Sequence, residues 1–361
     1  MNILFITKTF PYPLRDGVKI REFNILNNLA KDNIVKLVCL DNTHLRVNKI
    51  INNFNFKLSE EEFNINLKKF PDADLIYLSG ISVIRQKYLM NGKPILADFV
   101  DNPVLFMKRS IKFENNFITK IRKLKWVFDL NNELKDLSKV FKNFVFISEK
   151  DASTFSKYSK NTNTFVLPNG VDADFFKPLD SRNTNSFNIL FTGVMNYPPN
   201  DDAARYFITS IFSKIKKDTP EVSFTIVGKN PSTKLLKLAK SYLDIEVTGY
   251  VDDARPYFNK AAVFVSPLRW GAGMKNKILE AWAMQKPVVA SPISCEGLAA
   301  KNNVNTCIAN TTSEFADKVI ELFKDRVLAE KLAKNGRSLI ENHYTWEVQI
   351  DKLSKYINKF I

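Results

Sequence analysis

Histidine and cysteine are scarce in this chain. Of 361 residues, only two are histidine and three are cysteine. His44 and His343 stand far apart, and Cys39, Cys295 and Cys307 are odd in number and widely spaced. No Cys/His spacing suggests zinc and no disulfide framework is implied, so a cytoplasmic location is the default expectation. No apolar run approaches the roughly 20 residues of a membrane span. The opening MNILFITKTFPYP has too short an apolar run for a signal peptide and reads as a first strand. G-x-G-x-x-G is absent, which removes the usual dinucleotide fingerprint. Acidic residues are also in deficit, 38 against 53 lysines and arginines, for a net charge of +15. That balance suits nucleic acid, an anionic membrane face or an anionic small molecule.

What is present is an alternation of strand and helix patterns from end to end. Six short apolar runs fall between Ile3–Ile6 and Thr164–Leu167, and six more between Asn188–Thr192 and Thr306–Ile308. Continuous apolar strands separated by helical patterns predict an α/β fold with parallel sheets covered on both faces. The polar stretch Pro168–Ser186, with an Asn-Gly turn and two prolines, has linker composition. We therefore expect a Rossmann-like domain over 1–168, a linker over 169–187 and a second Rossmann-like domain over 188–344. Ligands of doubly wound sheets bind at the carboxyl ends of the strands, which points to a cleft where two such domains face each other.

The most informative stretch is SPLRWGAGMKNKILEAWAMQKPVVA, Ser266–Ala290. It reads as a strand end, a glycine turn, a helix from about Lys275 to Gln285, and a strand after Pro287. Gly271 and Gly273 can take positive φ and admit a ligand to the backbone. The first turn of the helix, near Asn276, offers N–H groups and partial positive charge to a phosphate. Arg269, Lys275 and Lys277 bring cations to the same stretch. Glu280 lies in an otherwise apolar run and needs donors, for which two sugar hydroxyls would serve. The plainer alternative makes Lys277 and Glu280 an i,i+3 surface pair and the glycines a tight turn only.

Other candidates lie at predicted strand ends. Gly193 and Gly228 close two strands of the second half. Asp101 follows the strand ending in ADFV and is either a functional carboxylate or the cap of the next helix. Asp16-Gly17 marks a turn before a helix from about Lys19 to Ala30. Gly17 could bring backbone amides to a phosphate or an acceptor, or simply connect strand to helix. Asp172-Ala173-Asp174 has D-x-D spacing but sits in the linker, so we assign no metal to it. Residues 105–141 interleave bases with apolar side chains. They read as a surface for an anionic membrane or as ordinary domain helices with one solvated face.

PLRWGAGMKNKILEAWAMQKPVVAS and FPYPLRDGVKIREFNILNNLA together resemble segments of the retaining glycosyltransferases of family four, which have the GT-B fold. The resemblance implies that Glu280 holds a ribose. Ala272 stands where the usual motif has an earlier glutamate, and Val194-Met195 where many relatives have an arginine after the glycine. It also implies that Asp101 occupies the catalytic-loop position, often a histidine, that Tyr250 and Val251 lie beside the base, and that the tail 345–361 packs back on the first domain. The expected function is transfer of a sugar, with retention and without a metal, from a UDP- or GDP-linked donor to a glycan or lipid-linked acceptor of a bacterial surface polysaccharide. The nucleotide-sugar is a substrate, and no cofactor is expected. Two alternatives are a GT-B nucleotide-sugar epimerase and a non-catalytic protein that binds an anionic polymer. Nucleic acid is not expected as a partner.

Overall fold

The computed structural model describes residues 1–14, 16–41, 57–59, 70–86, 92–159, 161–179 and 187–360, so residues 180–186 of the expected linker lie outside the described residues. The chain divides into two compact units, Met1–Gly170 with Trp346–Ile361, and Val171–Thr345.

The first unit is built on a sheet of β1 (Asn2–Thr7), β2 (Ile34–Cys39), β3 (Lys57–Ser59), β4 (Leu75–Ser79), β5 (Ile95–Val100), β6 (Asn143–Phe146) and β7 (Asn163–Val166). Its order is β3-β2-β1-β4-β5-β6-β7, and every pairing is parallel. Strands such as β4, buried at every position, are apolar without alternation because helices cover both faces. Strand β3 was not expected: KLS is too short and too polar to stand out as a strand. The first helix spans Gly17–Asp32, two residues longer at its start than its pattern predicts, because Asp16 caps it by accepting from the Lys19 amide.

The chain's last helix, Trp346–Phe360, belongs to this first unit. Trp346, Ile350, Leu353 and Ile357 recur on one helix face and enter a core with Phe5, Leu26 and Leu37. Tyr356 stacks on Phe165 of β7 with ring centroids 4.2 Å apart. Gly170 permits the approach, since a Cβ there would lie 2.7 Å from the Trp346 Cα.

The second unit carries β8 (Asn188–Thr192), β9 (Ser223–Val227), β10 (Ile245–Gly249), β11 (Val263–Ser266), β12 (Val288–Ala290) and β13 (Cys307–Ile308). The order β10-β9-β8-β11-β12-β13 is again all parallel. This is the doubly wound order whose reversal falls between β8 and β11, the place where such sheets accept ligands. The twelve strands expected from the apolar runs are all present, and the architecture is two Rossmann-like units.

After β11 the chain turns into the helix Asn276–Ala283, which Gln285 and Pro287 terminate, the former with φ 52°. Ile278, Leu279, Ala281, Trp282 and Ala283 are buried on it. Trp282 anchors the helix: its Nε1 donates to the Asn305 carbonyl at 3.0 Å. Its ring lies against Gly336 of the helix Arg326–His343, where a Cβ would come within 2.9 Å of Trp282 Cγ. Alanine normally favours a helix over glycine by about 1 kcal/mol. Here the methyl must move a buried indole, which costs about 1–3 kcal/mol by overpacking. Gly336→Ala should therefore lower stability in urea denaturation. An unchanged or raised midpoint would show that Trp282 does not depend on this close approach.

Candidate functional site

The candidate site of the second unit forms where strands β8, β9, β10 and β11 end. Gly193 follows β8 and Gly228 follows β9, and the two backbones touch so closely that a Cβ on Gly228 would overlap the Gly193 carbonyl. The Gly193 amide donates to Val227 at 3.0 Å and the Gly228 amide to Gly249 at 3.0 Å, tying three strand ends together. Beside them the hydroxyl of Thr192, last in β8, is buried without a hydrogen-bond partner. Tyr250 is exposed and Val251 half-buried just past β10, where Gly249 has φ 74°.

The turn after β11 carries Gly271 at φ 131° and Gly273 at φ 69°. Gly273 requires glycine by conformation. Lys275 is the N-cap residue of the helix Asn276–Ala283, which no side chain caps. Its ammonium folds back into the turn, donating to the Ala272 carbonyl at 2.8 Å and to the Gly273 carbonyl. A buried ammonium requires such acceptors. Lys275 therefore shapes the turn. Arg269 grips Asp202 through Nε at 2.9 Å and through its terminal nitrogen, and its guanidinium lies 4.8 Å from the Tyr206 ring centroid. Both cations expected to face a phosphate thus have acceptors of the protein's own.

Lys277 is placed differently. Its Nζ donates to Asn200 Oδ1 at 2.7 Å and lies 4.0 Å from the Phe191 ring centroid. It abuts Gly193, where a Cβ would be 2.7 Å from that nitrogen. Asn200 in turn donates to the Val194 carbonyl at 2.9 Å, so one buried amide fixes both the loop after β8 and the amine. Desolvation pushes the Lys277 amine down to about 7, against the opposing attraction of Glu280. Desolvation likewise pushes the Glu280 carboxyl up to about 7, opposed by Lys277. The Glu280 side chain accepts no hydrogen bond from the described residues and is half-buried. The surface-pair alternative does not describe this arrangement, because Lys277 and Glu280 form no ion pair among the described residues and Lys277 bonds Asn200. A cation partly discharged by burial and a carboxyl without donors are groups that a charged, hydroxyl-bearing ligand would satisfy.

Asn200 was missed by sequence reasoning. Its only signal is its place in YPPND at the start of the helix Pro198–Tyr206. Asp201, in the first turn of that helix, accepts from Ser232 Oγ at 2.6 Å and from Arg205 at 2.8 Å. Asp172 uses its carboxylate on the amides of Asp174 and Phe175, at 3.1 and 2.8 Å, as a turn residue does.

In the first unit, Gly17 is the opening residue of its helix and is exposed, and it has no positive φ. Asp101 is exposed just past β5, after Val100 at φ 63°. It does not cap the helix Pro103–Lys112. Asn102 does, accepting from the Val104 amide at 3.0 Å. Asp98 is instead the buried carboxylate of this strand end. It receives Arg21 Nε at 3.1 Å, Tyr77 Oη at 2.6 Å and the Val100 amide at 2.9 Å. Arg21 continues to the Leu167 carbonyl and Asn169, each at 2.9 Å.

Residues 186–325 match the family model of glycosyl transferases group 1. That segment contains Gly193, Asn200, Gly228, the glycine turn, Lys277 and Glu280. An uncharacterized 44.6 kDa protein of the cps region of Klebsiella pneumoniae is 24% identical over 78% of this chain and 72% of its own. The capsular polysaccharide biosynthesis glycosyltransferase CapM of Staphylococcus aureus is 25% identical over 39% of this chain and 34% of its own. Among solved structures, HepE of Anabaena in complex with UDP and glucose superposes with a TM-score of 0.69 at 13% identity, over 99% of both chains. The fold is therefore GT-B, an architecture of two Rossmann-like units.

Glu22, beside Asp98, supplies a measurable acid. It is buried and accepts from Ser79 Oγ at 2.9 Å. Burial, reinforced by Asp98 and Asp16, pushes its carboxyl from 4.5 up to about 8, against the Ser79 hydrogen bond. The native state therefore keeps a proton that the unfolded chain releases above its own pKa. The contribution to stability is complete below pH 4.5 and disappears as pH rises through about 8. It amounts to roughly 3–5 kcal/mol over that window. Glu22→Gln keeps an acceptor for Ser79 and cannot ionise. Its melting temperature should exceed that of the parent at pH 8 and match it near pH 5. Parallel profiles would show that Glu22 does not retain a proton.

Proposed function

We propose that this chain is a retaining glycosyltransferase. It moves a sugar from a nucleotide-diphosphate sugar, UDP-linked by preference, onto a glycan or lipid-linked acceptor of a bacterial surface polysaccharide. The observation that carries the reading is the cluster of Gly193, Asn200 and Lys277 at the carboxyl ends of the strands, with Glu280 three residues further along the Lys277 helix, within the segment matching the group 1 model. Support for the donor comes from HepE, whose structures hold UDP and UDP-glucose. Support for the product class comes from the capsule-related names of the two relatives.

In the proposed chemistry, the bond between the anomeric carbon and the phosphate oxygen breaks, and its electron pair stays on the diphosphate. The growing charge meets the Lys277 ammonium and the first-turn amides of the helix Asn276–Ala283. A diphosphate beside Lys277 restores the proton that burial weakens. The lack of a side chain at Gly193 makes room for that amine, since a Cβ there would lie 2.7 Å from it. Lys275 holds the shape of the glycine turn, and Arg269 braces it against Asp202 rather than contacting phosphate. Glu280 accepts hydrogen bonds from ribose hydroxyls. The backbone at Gly228 and at Tyr250–Val251 borders the base. The acceptor hydroxyl attacks from the face the diphosphate leaves, and its proton passes to a departing phosphate oxygen. This sequence requires no metal.

A thermal-shift series with UDP, GDP, ADP and CMP should single out UDP, because a ligand selective for the native state raises the midpoint. Lys277→Met should remove most of that shift and reduce turnover by about 100-fold or more, as loss of a transition-state donor does. Glu280→Ala should raise the donor KM by about 10-fold through loss of two hydrogen bonds to a charged acceptor. Unchanged kinetics in both variants would end the proposal. Conversion of the donor sugar with no acceptor present would make the protein an epimerase.

A further inference from the structure

The helix Phe117–Val140 carries two apolar faces, and only one of them enters the core. Its later turns bury Val127, Leu130 and Leu134 against the first unit. Its earlier turns present Phe117, Ile121, Leu124 and Phe128, spaced i, i+4, i+7 and i+11, on a common stripe. These side chains are 74%, 51%, 56% and 65% exposed. Ile118, adjacent to the stripe, is 61% exposed. A soluble surface seldom leaves so many large apolar groups in line. None of them belongs to the core that Val127, Leu130 and Leu134 enter.

The charge around the stripe is one-sided. Residues 105–126 hold seven lysines and arginines against a single acid, Glu114. Glu114 is occupied by Lys123 at 3.0 Å. Lys112, Arg122 and Lys125 are exposed. The acids Asp129, Glu133 and Asp136 begin only beyond Leu124, and Glu133 pairs with Arg85. A second copy of the chain would bring like charges together on this face. A surface of negative charge over an apolar interior complements both properties at once.

We infer that the start of this helix is a docking element for an anionic lipid bilayer. Phe117, Ile121, Leu124 and Phe128 enter the acyl boundary, and Lys112, Arg122 and Lys125 contact lipid phosphates. No helix among the described residues is long and apolar enough to cross a membrane, so the contact is peripheral. The inference does not depend on the reaction proposed above, since it stands on the first unit alone.

Vesicle flotation tests it. The protein should float with vesicles of mixed phosphatidylglycerol and phosphatidylcholine, and about tenfold less with phosphatidylcholine alone. Ile121→Ser/Leu124→Ser should reduce capture by about tenfold or more while leaving melting temperature and the UDP-induced shift intact. The separate variant Lys112→Gln/Arg122→Gln/Lys125→Gln should lose the preference for phosphatidylglycerol and the sensitivity to salt. Equal flotation of parent and both variants, or no flotation of the parent, would overturn the inference. So would a parent dimer in sedimentation that Ile121→Ser/Leu124→Ser dissociates, because the stripe would then belong to a second copy.

Discussion

Two glycines in backbone contact govern the second unit. Gly193 and Gly228 meet with no room for a Cβ, and that contact draws the ends of β8 and β9 together. Lys277 reaches this junction from the glycine-turn helix, and Asn200 receives it there. A side chain at either glycine would displace the amine, the Asn200 amide or the neighbouring strand. Lys277 loses water at this junction, where it abuts Gly193 and the Phe191 ring. Neither Lys277 nor Glu280 is neutralised by a direct ion pair among the described residues, so the fold carries a desolvation cost that a ligand can relieve. Such local expense is common where a protein keeps groups ready for binding.

Rigidity behind the site comes from a different kind of contact. The glycine-turn helix is held by one indole, with its nitrogen on the Asn305 carbonyl and its face on Gly336. The turn ahead of it is held by the Lys275 ammonium on two carbonyls of its own loop. The helix is therefore fixed at both its apolar back and its polar start. This matters for a group that must stabilise charge appearing in a transition state, since preorganised donors need not reorient.

The architecture was legible because parallel strands buried on both faces are short unbroken apolar runs, from Ile3–Ile6 to Thr306–Ile308. β3 escaped because an edge strand of three residues has no such run. The glycine turn and the end of the helix after it were legible from Gly271, Gly273 and Pro287, residues whose backbone constraints act locally. The partners of long charged side chains were not. Lys275, Lys277 and Arg269 look alike in sequence, yet one folds onto its own turn, one reaches Gly193 and one crosses to Asp202. The last two choices depend on residues 77 and 67 positions away, Asn200 and Asp202. Asn200 and Glu22 escaped for the same reason, since nothing near either in the chain marks its partner. At the end of β5 the sequence pointed to Asp101, and nothing near it marked Asp98 as the carboxylate that Arg21 would bury.

The first unit borrows its closing helix from the opposite end of the chain, with Trp346 seated on Gly170 and Leu353 in the core beside β1. Domains made on the ribosome generally fold in the order they emerge. This one begins to emerge before the second unit and is finished after it. Until Trp346–Phe360 leaves the exit tunnel, the apolar patch around Phe5, Leu26 and Leu37 lacks its cover. A premature stop anywhere in the second unit would damage the first, and a nascent chain stalled there would be a natural client for a chaperone.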